Sequence, residues 1–299
     1  MAGKKERQAA VEHYRNLSGD FDWNALMDYT SGVLEARDAI ENVQSASGFN
    51  EETARRAISS RTAYLKLSPL PVDPASFRAH CADILEDFIG RGIVHDEQVE
   101  AMRHIDWSKL RDEVCALAGS DPNEFFIQAV PQLLGEKRSE LAEVVLAGLL
   151  INVVRAYLAG CGSAMTEYLC KQSREEALTN SFKCPTCGQP ASLSQIIDDD
   201  KNIGHERRLF CACCGTAWPY ERRRCGLCGQ RDADKLQYLC ADEDKLHRLH
   251  VCEACGGVLP TVFQDALNHP FDADIEQSAC GLIQSLWLEE MTEPEEHTK

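Results

Sequence analysis

The first 180 residues place apolar side chains at the three- and four-residue spacing of amphipathic helices. This pattern runs through four stretches, at residues 23–42, 74–90, 107–117 and 136–169. Asp73 and Asp121 each precede a proline, which is typical of a helix N-cap followed by the first helical residue. We therefore predict an all-α domain over residues 1–180.

The pattern changes after residue 180. Short apolar runs at 208–210 and 249–251 are typical of strands in a small antiparallel sheet, and residues 274–290 form one more amphipathic pattern. The predicted fold class is α with a small β part: an N-terminal helical domain, two tandem modules of the rubredoxin or zinc-ribbon kind, and a C-terminal helix. The predicted divisions are a helical domain at 1–180, modules at 181–222 and 223–267, a helix packing on the helical domain at 268–290, and a disordered tail at 291–299.

The two modules are predicted from a cysteine pattern that occurs twice without a change of spacing. Each copy has two Cys-x-x-Cys pairs, and the second copy follows the first at a constant offset of 41 residues (225 − 184). The eight cysteines are Cys184, Cys187, Cys211 and Cys214, then Cys225, Cys228, Cys252 and Cys255. A glycine follows every pair, and it permits the positive φ with which a turn directs its N–H groups towards sulfur. We call each such turn a knuckle.

Two knuckles in each copy predict one tetrahedral metal site, and hence two metal ions per chain. Zinc and iron both accept four thiolates, and the spacing does not distinguish a structural ion from a redox-active one. Four thiolates leave a negative charge at each site, which six arginines nearby in the sequence would offset: Arg207, Arg208, Arg222, Arg223, Arg224 and Arg248.

Composition narrows the function classes. The chain has 15 cysteines and no export signal at its start, so we expect a reducing, cytoplasmic compartment in which these thiols bind metal. The longest apolar run, 144–154, is shorter than the ~20 residues of a membrane span, and we expect no membrane insertion. The formal net charge of −17 disfavours nucleic acid as a partner, because affinity for phosphates comes from Lys and Arg.

The segment between the modules holds the candidate partner-binding residues: Trp218, Tyr220, Arg222, Arg223 and Arg224. Aromatic residues and arginine are enriched at interaction hot spots. Alternatively, the two aromatic residues would pack between the modules, and the arginines would be an ordinary run of charges exposed to solvent. We expect His205, His247 and His250 to lie on the surface, since four cysteines already complete each metal site. Cys213, inside one knuckle, is expected to point away from the ion.

No catalytic signature is present, since the chain lacks GxSxG, a P-loop, HExxH and a GxGxxG after a strand. Four Cys-x-x-Cys pairs in two matched sets also differ from the single pair of thioredoxin-like enzymes. We therefore expect a protein that is not an enzyme.

The cysteine segments resemble a known family. Residues 184–192 (CPTCGQPAS), 208–229 (RLFCACCGTAWPYERRRCGLCG) and 251–257 (VCEACGG) are similar to the FdhE family of formate dehydrogenase accessory proteins. Residues 64–80 resemble that family's entry into its helical domain. The resemblance implies a cytoplasmic, non-catalytic assembly factor whose knuckles bind iron or zinc and whose partner is the catalytic subunit of formate dehydrogenase. Whether the chain also forms a homodimer stays open.

Two alternatives remain open at the level of sequence. One is an iron electron carrier of the rubredoxin type, which would bleach reversibly on reduction. The other is a nucleic-acid-binding zinc ribbon, which would bind DNA or RNA in a salt-dependent manner.

Overall fold

The structure, a computed structural model, describes residues 4–18, 21–41, 48–94, 96–135, 139–172, 181–198, 205–240 and 246–292. The chain divides into two compact units, each built from separate stretches. The helical unit comprises Asp28–Pro190 and Phe210–Pro219; the sheet unit comprises Met1–Met27, Ala191–Leu209 and Tyr220–Lys299. The four-part division predicted above stays a prediction. The predicted tail at 291–299 lies largely outside the described residues.

The described residues include ten α-helices. They are α1 (Lys4–Arg15), α2 (Trp23–Glu41), α3 (Glu51–Ser60), α4 (Tyr64–Leu67), α5 (Pro74–Gly90), α6 (Asp96–Arg103), α7 (Asp112–Leu117), α8 (Pro122–Leu134), α9 (Glu140–Lys171) and α10 (Ala273–Thr292). Short 3₁₀ turns lie at Trp107–Lys109, Ala233–Lys235 and Gln264–Ala266.

Helix starts in the helical unit follow the capping signals of the sequence. The side chain of Asp73 accepts a hydrogen bond from the Ser76 N–H at 2.8 Å, and Asp121 accepts one from the Glu124 N–H at 3.5 Å. Each cap satisfies one of the N–H groups that the first turn of a helix leaves without a partner. The predicted starts of α5 and α8 are thereby confirmed.

Helix α9 is the central element of the helical unit. Its N-cap is Ser139, and it packs against α5, α6 and α8. By length and composition α9 is apolar enough to cross a membrane, but more than half of its most apolar stretch is buried inside the protein, as in the core helix of a globular domain. Its buried positions include one charged side chain, Arg155.

Six strands follow the helical stretch. They are β1 (Leu193–Asp198), β2 (His205–Phe210), β3 (Ala217–Tyr220), β4 (Leu236–Leu239), β5 (His247–Cys252) and β6 (Val258–Phe263). Within the sheet unit the strand order is β2-β1-β6-β5-β4. The pairs β4–β5 and β5–β6 are antiparallel, but β1 pairs with β6 in parallel, with Ser194 opposite Thr261.

The small antiparallel sheet that the sequence predicts is mixed in the structure: β5, which holds residues 249–251, is antiparallel to both of its neighbours, and the parallel pair is the correction. Strands β1–β3 lie in the first cysteine copy and β4–β6 in the second, so the parallel contact joins the first strand of one copy to the last strand of the other. Periodicity within a strand carries no information on the direction of its neighbour, which explains the error. The fold class itself, helices followed by a sheet with two cysteine quartets and a final helix, is confirmed.

Helix α10 belongs to the sheet unit, where it packs on β6 and on α1. Ile275, Ala279 and Cys280 are buried on its apolar face. The predicted packing of this helix on the helical domain stays a prediction. Helix α1, for which the sequence carried no clear signal, buries Ala10, Val11 and Tyr14.

Candidate metal centres

All four knuckles adopt the same turn. In each of them the carbonyl of the first cysteine accepts a hydrogen bond from the N–H of the glycine four residues later, at 2.8–3.0 Å. Those glycines have φ between +66° and +80°. Only glycine enters this region without steric cost, so the backbone role predicted for them is confirmed. The glycines are Gly188, Gly215, Gly229 and Gly256.

The turns bring the eight sulfurs together as two quartets. The first centre consists of Cys184, Cys187, Cys211 and Cys214; the second centre consists of Cys225, Cys228, Cys252 and Cys255. Within each quartet all four sulfurs lie within 4.8 Å of one another. The first centre lies in the helical unit and the second in the sheet unit, so each compact unit holds one quartet.

The spacing between sulfurs suits a tetrahedral ion. Four thiolates with metal–sulfur bonds of about 2.3 Å place their sulfurs about 3.8 Å apart. The second centre has separations of 3.9 Å (Cys225–Cys255) and 3.8 Å (Cys228–Cys252), and the first has 3.4 Å for both Cys184–Cys214 and Cys187–Cys211. A disulfide would be about 2.05 Å, so the cysteines are free thiols. The two quartets could therefore hold two metal ions, and zinc and iron fit equally.

The surroundings of the two quartets differ. In the first centre every cysteine is buried, with exposed fractions of 0–2%. In the second centre Cys225 and Cys252 are buried, Cys228 is half-buried and Cys255 is exposed.

Two buried threonines line the first centre. The hydroxyl of Thr216 lies 3.1 Å from the sulfur of Cys214 and 2.6 Å from the hydroxyl of Thr186. Neither threonine is exposed to solvent. The start of α4 covers the first knuckle, because the N–H groups of Tyr64 and Leu65 donate to the carbonyls of Pro185 and Thr186 at 2.8 and 3.0 Å. Backbone groups on the outside of this knuckle are therefore satisfied by protein rather than by water.

Helix α9 covers the second knuckle of the first centre. The guanidinium of Arg155 donates to the carbonyls of Cys211 and Ala212 at 2.8 and 3.2 Å. Two turns further along, Gly162 lies so close to the knuckle that an added Cβ would come within 1.9 Å of the Cys214 carbonyl oxygen. Neither contact was predicted from the sequence. Arg155 is the one charged residue between positions 144 and 166, and a lone charge in an apolar helix was the available signal.

Arginines and a tyrosine support the second centre. The Tyr220 hydroxyl donates to the Cys225 carbonyl at 2.8 Å, and Arg224 donates to the Gly229 carbonyl at 2.9 Å. Arg207, only 2% exposed, donates to the Arg224 carbonyl at 2.7 Å and to the Ser194 hydroxyl at 2.8 Å. These contacts hold the backbone of one knuckle in place and set positive charge near the thiolates.

The pKa values of two thiols of the first centre are shifted in opposite directions. Burial raises the pKa of Cys187 well above the usual range of a thiol. Burial also opposes ionisation of Cys214, but hydrogen bonds from the sulfurs of Cys184, Cys187 and Cys211, and from Thr216, hold its pKa well below that range. A metal ion bound here would displace the remaining protons, because thiolates rather than thiols are the ligands.

Two histidines predicted to be on the surface are buried instead. His250 is 3% exposed, and its Nδ1 accepts a hydrogen bond from Arg207 at 3.1 Å; burial and that positive charge lower its pKa to about 4. His247 is 5% exposed and lies 3.0 Å from the Tyr14 hydroxyl, which donates to Glu276 at 2.7 Å. The surface prediction was wrong because both side chains complete buried polar networks. The side chain of His205 lies outside the described residues.

The predicted partner-binding residues separate into buried and exposed ones. Trp218 has no exposed surface, and its indole N–H donates to the Ser181 carbonyl at 3.1 Å. Tyr220 is 3% exposed. Arg222 and Arg223 are exposed, and Arg224 is half-buried. The partner-binding assignment stays a prediction, with Arg222 and Arg223 as the residues that solvent reaches.

Two further cysteines lie close to the first centre. Cys213 is buried and its sulfur interacts with that of Cys187, but it is not one of the four cysteines whose sulfurs converge. Cys161, on α9, is also buried, and burial together with the charges of Cys214 and Cys184 raises its pKa to about 12. Cys161 is therefore a buried thiol near the first centre but outside its quartet.

Comparison with known proteins agrees with the predicted resemblance. No family model matches the chain. Curated relatives include a protein FdhE homolog of Aquifex aeolicus (32% identity over 109 residues, 36% of this chain and 37% of the relative). FdhE homologs of Shewanella baltica (28% identity over 93 residues, 31% of this chain and 30% of the relative) and Pseudomonas aeruginosa (29% over 92 residues, 29% of each) are also similar. The matched region thus spans about a third of these relatives.

One solved structure is similar over nearly the whole chain. The crystal structure of the FdhE protein from Pseudomonas aeruginosa matches with a TM-score of 0.56 and 15% identity, covering 98% of this chain and 94% of that one. At this identity the likeness establishes a shared fold. The resemblance to FdhE inferred from the cysteine segments is confirmed by relatives of that name and by this match.

Proposed function

We propose that this protein is a cytoplasmic, non-catalytic accessory protein for formate dehydrogenase, which binds two metal ions and contacts the enzyme's catalytic subunit during assembly. The observation that carries the proposal is the pair of four-sulfur quartets in a chain whose curated relatives are named FdhE homologs. The formate dehydrogenase connection itself comes from the resemblance of the cysteine segments to that family.

The metal-binding part of the proposal is tested in a strain that lacks the native protein. Cys184→Ser and Cys225→Ser should each lower formate dehydrogenase activity without changing the transcript level of its catalytic subunit, because each removes one ligand of a different centre. Cys170→Ser and Cys240→Ser are matched controls, since both cysteines are exposed and lie outside the quartets. Full activity in a strain with the Cys184→Ser/Cys225→Ser double variant contradicts the proposal.

The partner-binding part concerns Arg222 and Arg223, which are adjacent and exposed. Replacing both with glutamate should weaken capture of the formate dehydrogenase catalytic subunit by the tagged protein, because the exposed positive charge becomes negative. The Arg55→Glu/Arg56→Glu variant changes the net charge equally at another adjacent, exposed arginine pair. Equal capture by both variants would show that the 222–223 pair is no specific contact.

A rubredoxin-type electron carrier remains the second candidate, and the exposure of Cys255 favours it. A four-sulfur iron centre that reaches solvent at one edge offers a short path for an electron. Protein purified without oxygen would then contain iron, show visible absorption and bleach reversibly with a reductant. Protein that is colourless and holds zinc alone argues against this candidate.

A further inference from the structure

The two centres differ most at the second cysteine of each knuckle. In the first centre these residues are Cys187 and Cys214, which are 2% and 0% exposed. Their equivalents 41 positions later are Cys228 and Cys255, which are half-buried and exposed. The second centre is therefore open along one edge, formed by the same two positions that are sealed in the first.

Sequence differences at equivalent positions contribute to this open edge. Thr186 and Thr216, which line the first centre, correspond to Leu227 and Gly257 in the second. Gly257 has no side chain, and a Cβ built there would lie 3.2 Å from the Cys255 sulfur. The position that holds the buried Thr216 in the first centre is thus left without a side chain beside Cys255.

The neighbours of the two centres add to the difference. The start of α4 and the side chain of Arg155 satisfy knuckle carbonyls of the first centre. Gly162 of α9 is in contact with the Cys214 carbonyl. Around Gly256 of the second centre, an added Cβ would meet no atom within 4 Å. Access of solvent and of external ligands to a metal site is controlled by this enclosing shell.

We propose that the second centre is the exchange site of the protein, open to an external thiolate ligand, whereas the first centre retains its ion as part of the core of the helical unit. The inference rests on the proposed binding of two metal ions. Its ligand class is a thiolate, either from a small molecule such as glutathione or from a cysteine side chain of another protein.

Exchange at this edge is a ligand substitution without electron transfer. The incoming thiolate forms a bond to the ion as the bond to the Cys255 sulfur breaks. Cys255 would leave as a thiolate and take up, through solvent, the proton that the incoming thiol gave up; because one thiolate replaces another, the charge at the centre is unchanged. Repetition at Cys228, the other accessible ligand, would weaken the hold of the two buried cysteines Cys225 and Cys252.

The test uses the full chain loaded with two equivalents of zinc and a chromogenic zinc chelator as the probe. One equivalent should be released about tenfold or more faster than the other, the size of effect that an enclosing shell has on a metal site. Cys255→Ser should abolish the fast equivalent and leave the slow one. Cys240→Ser, at an exposed cysteine of the same unit, should change neither.

A second variant leaves all eight ligands in place. Gly257→Ala adds a methyl group beside the Cys255 sulfur, where its tightest contact is with the end of the flexible Leu227 side chain. It should slow the fast release and leave the slow one unchanged. Mass-mapped alkylation of the zinc-loaded protein should modify Cys228 and Cys255 before any cysteine of the first centre, with the exposed Cys170 as a positive control.

Release of both equivalents at one rate, or loss of the slow equivalent in Cys255→Ser, would overturn the inference. Adding glutathione in one arm and a Cys-x-x-Cys peptide in another identifies the source of the thiolate, because only the effective donor accelerates the fast phase. These experiments separate failure of the exchange proposal from failure of the proposed function. Uniform release with intact formate dehydrogenase assembly refutes exchange alone, and two-phase release without any effect on assembly refutes the proposed function alone.

Discussion

The two cysteine quartets share one ligand spacing but are enclosed by different parts of the fold. The first lies in the helical unit against α4 and α9, with all four cysteines buried; the second lies in the sheet unit and exposes Cys255. Knuckles of the same geometry are thus buried in the first centre and partly exposed in the second. The ligand motif therefore specifies the turn, whereas the residues around it decide how accessible the centre is.

Ligand variants of the two centres should differ strongly in stability. Cys214→Ser should lower the free energy of unfolding by more than about 4 kcal/mol, because it removes a ligand from a buried centre. Cys255→Ser should cost only about 1–2 kcal/mol, since its side chain is exposed. Urea unfolding of zinc-loaded protein, followed by far-UV circular dichroism, measures both. Equal losses would show that the two centres contribute alike to the fold.

The next effect concerns the contact between α9 and the first centre. Gly162→Ala should cost about 2–4 kcal/mol, because the new Cβ would overlap the Cys214 carbonyl and force the helix or the knuckle to move. Gly148→Ala is the matched control on the same helix, where an added Cβ meets nothing within 4 Å. That control should gain up to about 1 kcal/mol from helix propensity. Similar stabilities for the two variants would disprove the close packing.

Buried arginines allow each centre to be perturbed separately. Arg155→Met and Arg207→Met should each cost about 2–3 kcal/mol, because buried carbonyls lose charged hydrogen-bond donors. Each substitution should also act on one centre: Arg155→Met should speed release of the slowly exchanging zinc, and Arg207→Met should speed release of the rapidly exchanging zinc. Chelator kinetics on both variants check this. An arginine that affects both ions equally acts on the whole protein instead of on one centre.

The smallest predicted effect is the hydroxyl pair that only the first centre has. Thr186→Val and Thr216→Val, alone and combined, should show a coupling of about 0.5–1.5 kcal/mol, since the two hydroxyls are 2.6 Å apart. A double-mutant cycle in urea unfolding measures this coupling. Additive losses would mean that the hydroxyls do not act on each other.

Local features of the fold were predictable from the sequence for physical reasons. The Asp73 and Asp121 caps follow from N–H groups that need partners, and the positive φ of the four knuckle glycines follows from the geometry of the turn. The grouping of eight cysteines into two quartets follows from a repeat that keeps its register over 41 residues. The caps and turns depend on residues close together in the chain, and the quartets depend on a spacing that the sequence repeats.

Contacts between distant residues were not predictable in the same way. Arg155 reaches the carbonyl of Cys211 across 56 residues, and His250 is hydrogen-bonded to Arg207 across 43. Residues separated by these distances in the chain show no spacing pattern in the sequence that would reveal their contact. The surface prediction for His247 failed for the same reason, because its partner Tyr14 lies at the other end of the chain. The parallel pairing of β1 with β6 likewise depends on the packing of the first cysteine copy against the second, which the pattern within either copy does not encode.

The most direct test of two independent centres is the metal content of each ligand variant, measured by native mass spectrometry with elemental analysis. Purified wild-type protein should carry two ions per chain, and Cys184→Ser and Cys225→Ser should each carry one. The Cys184→Ser/Cys225→Ser double variant should carry none. A wild-type chain without bound metal, or a single variant that loses both ions while it remains folded, would contradict the existence of two separate four-cysteine centres.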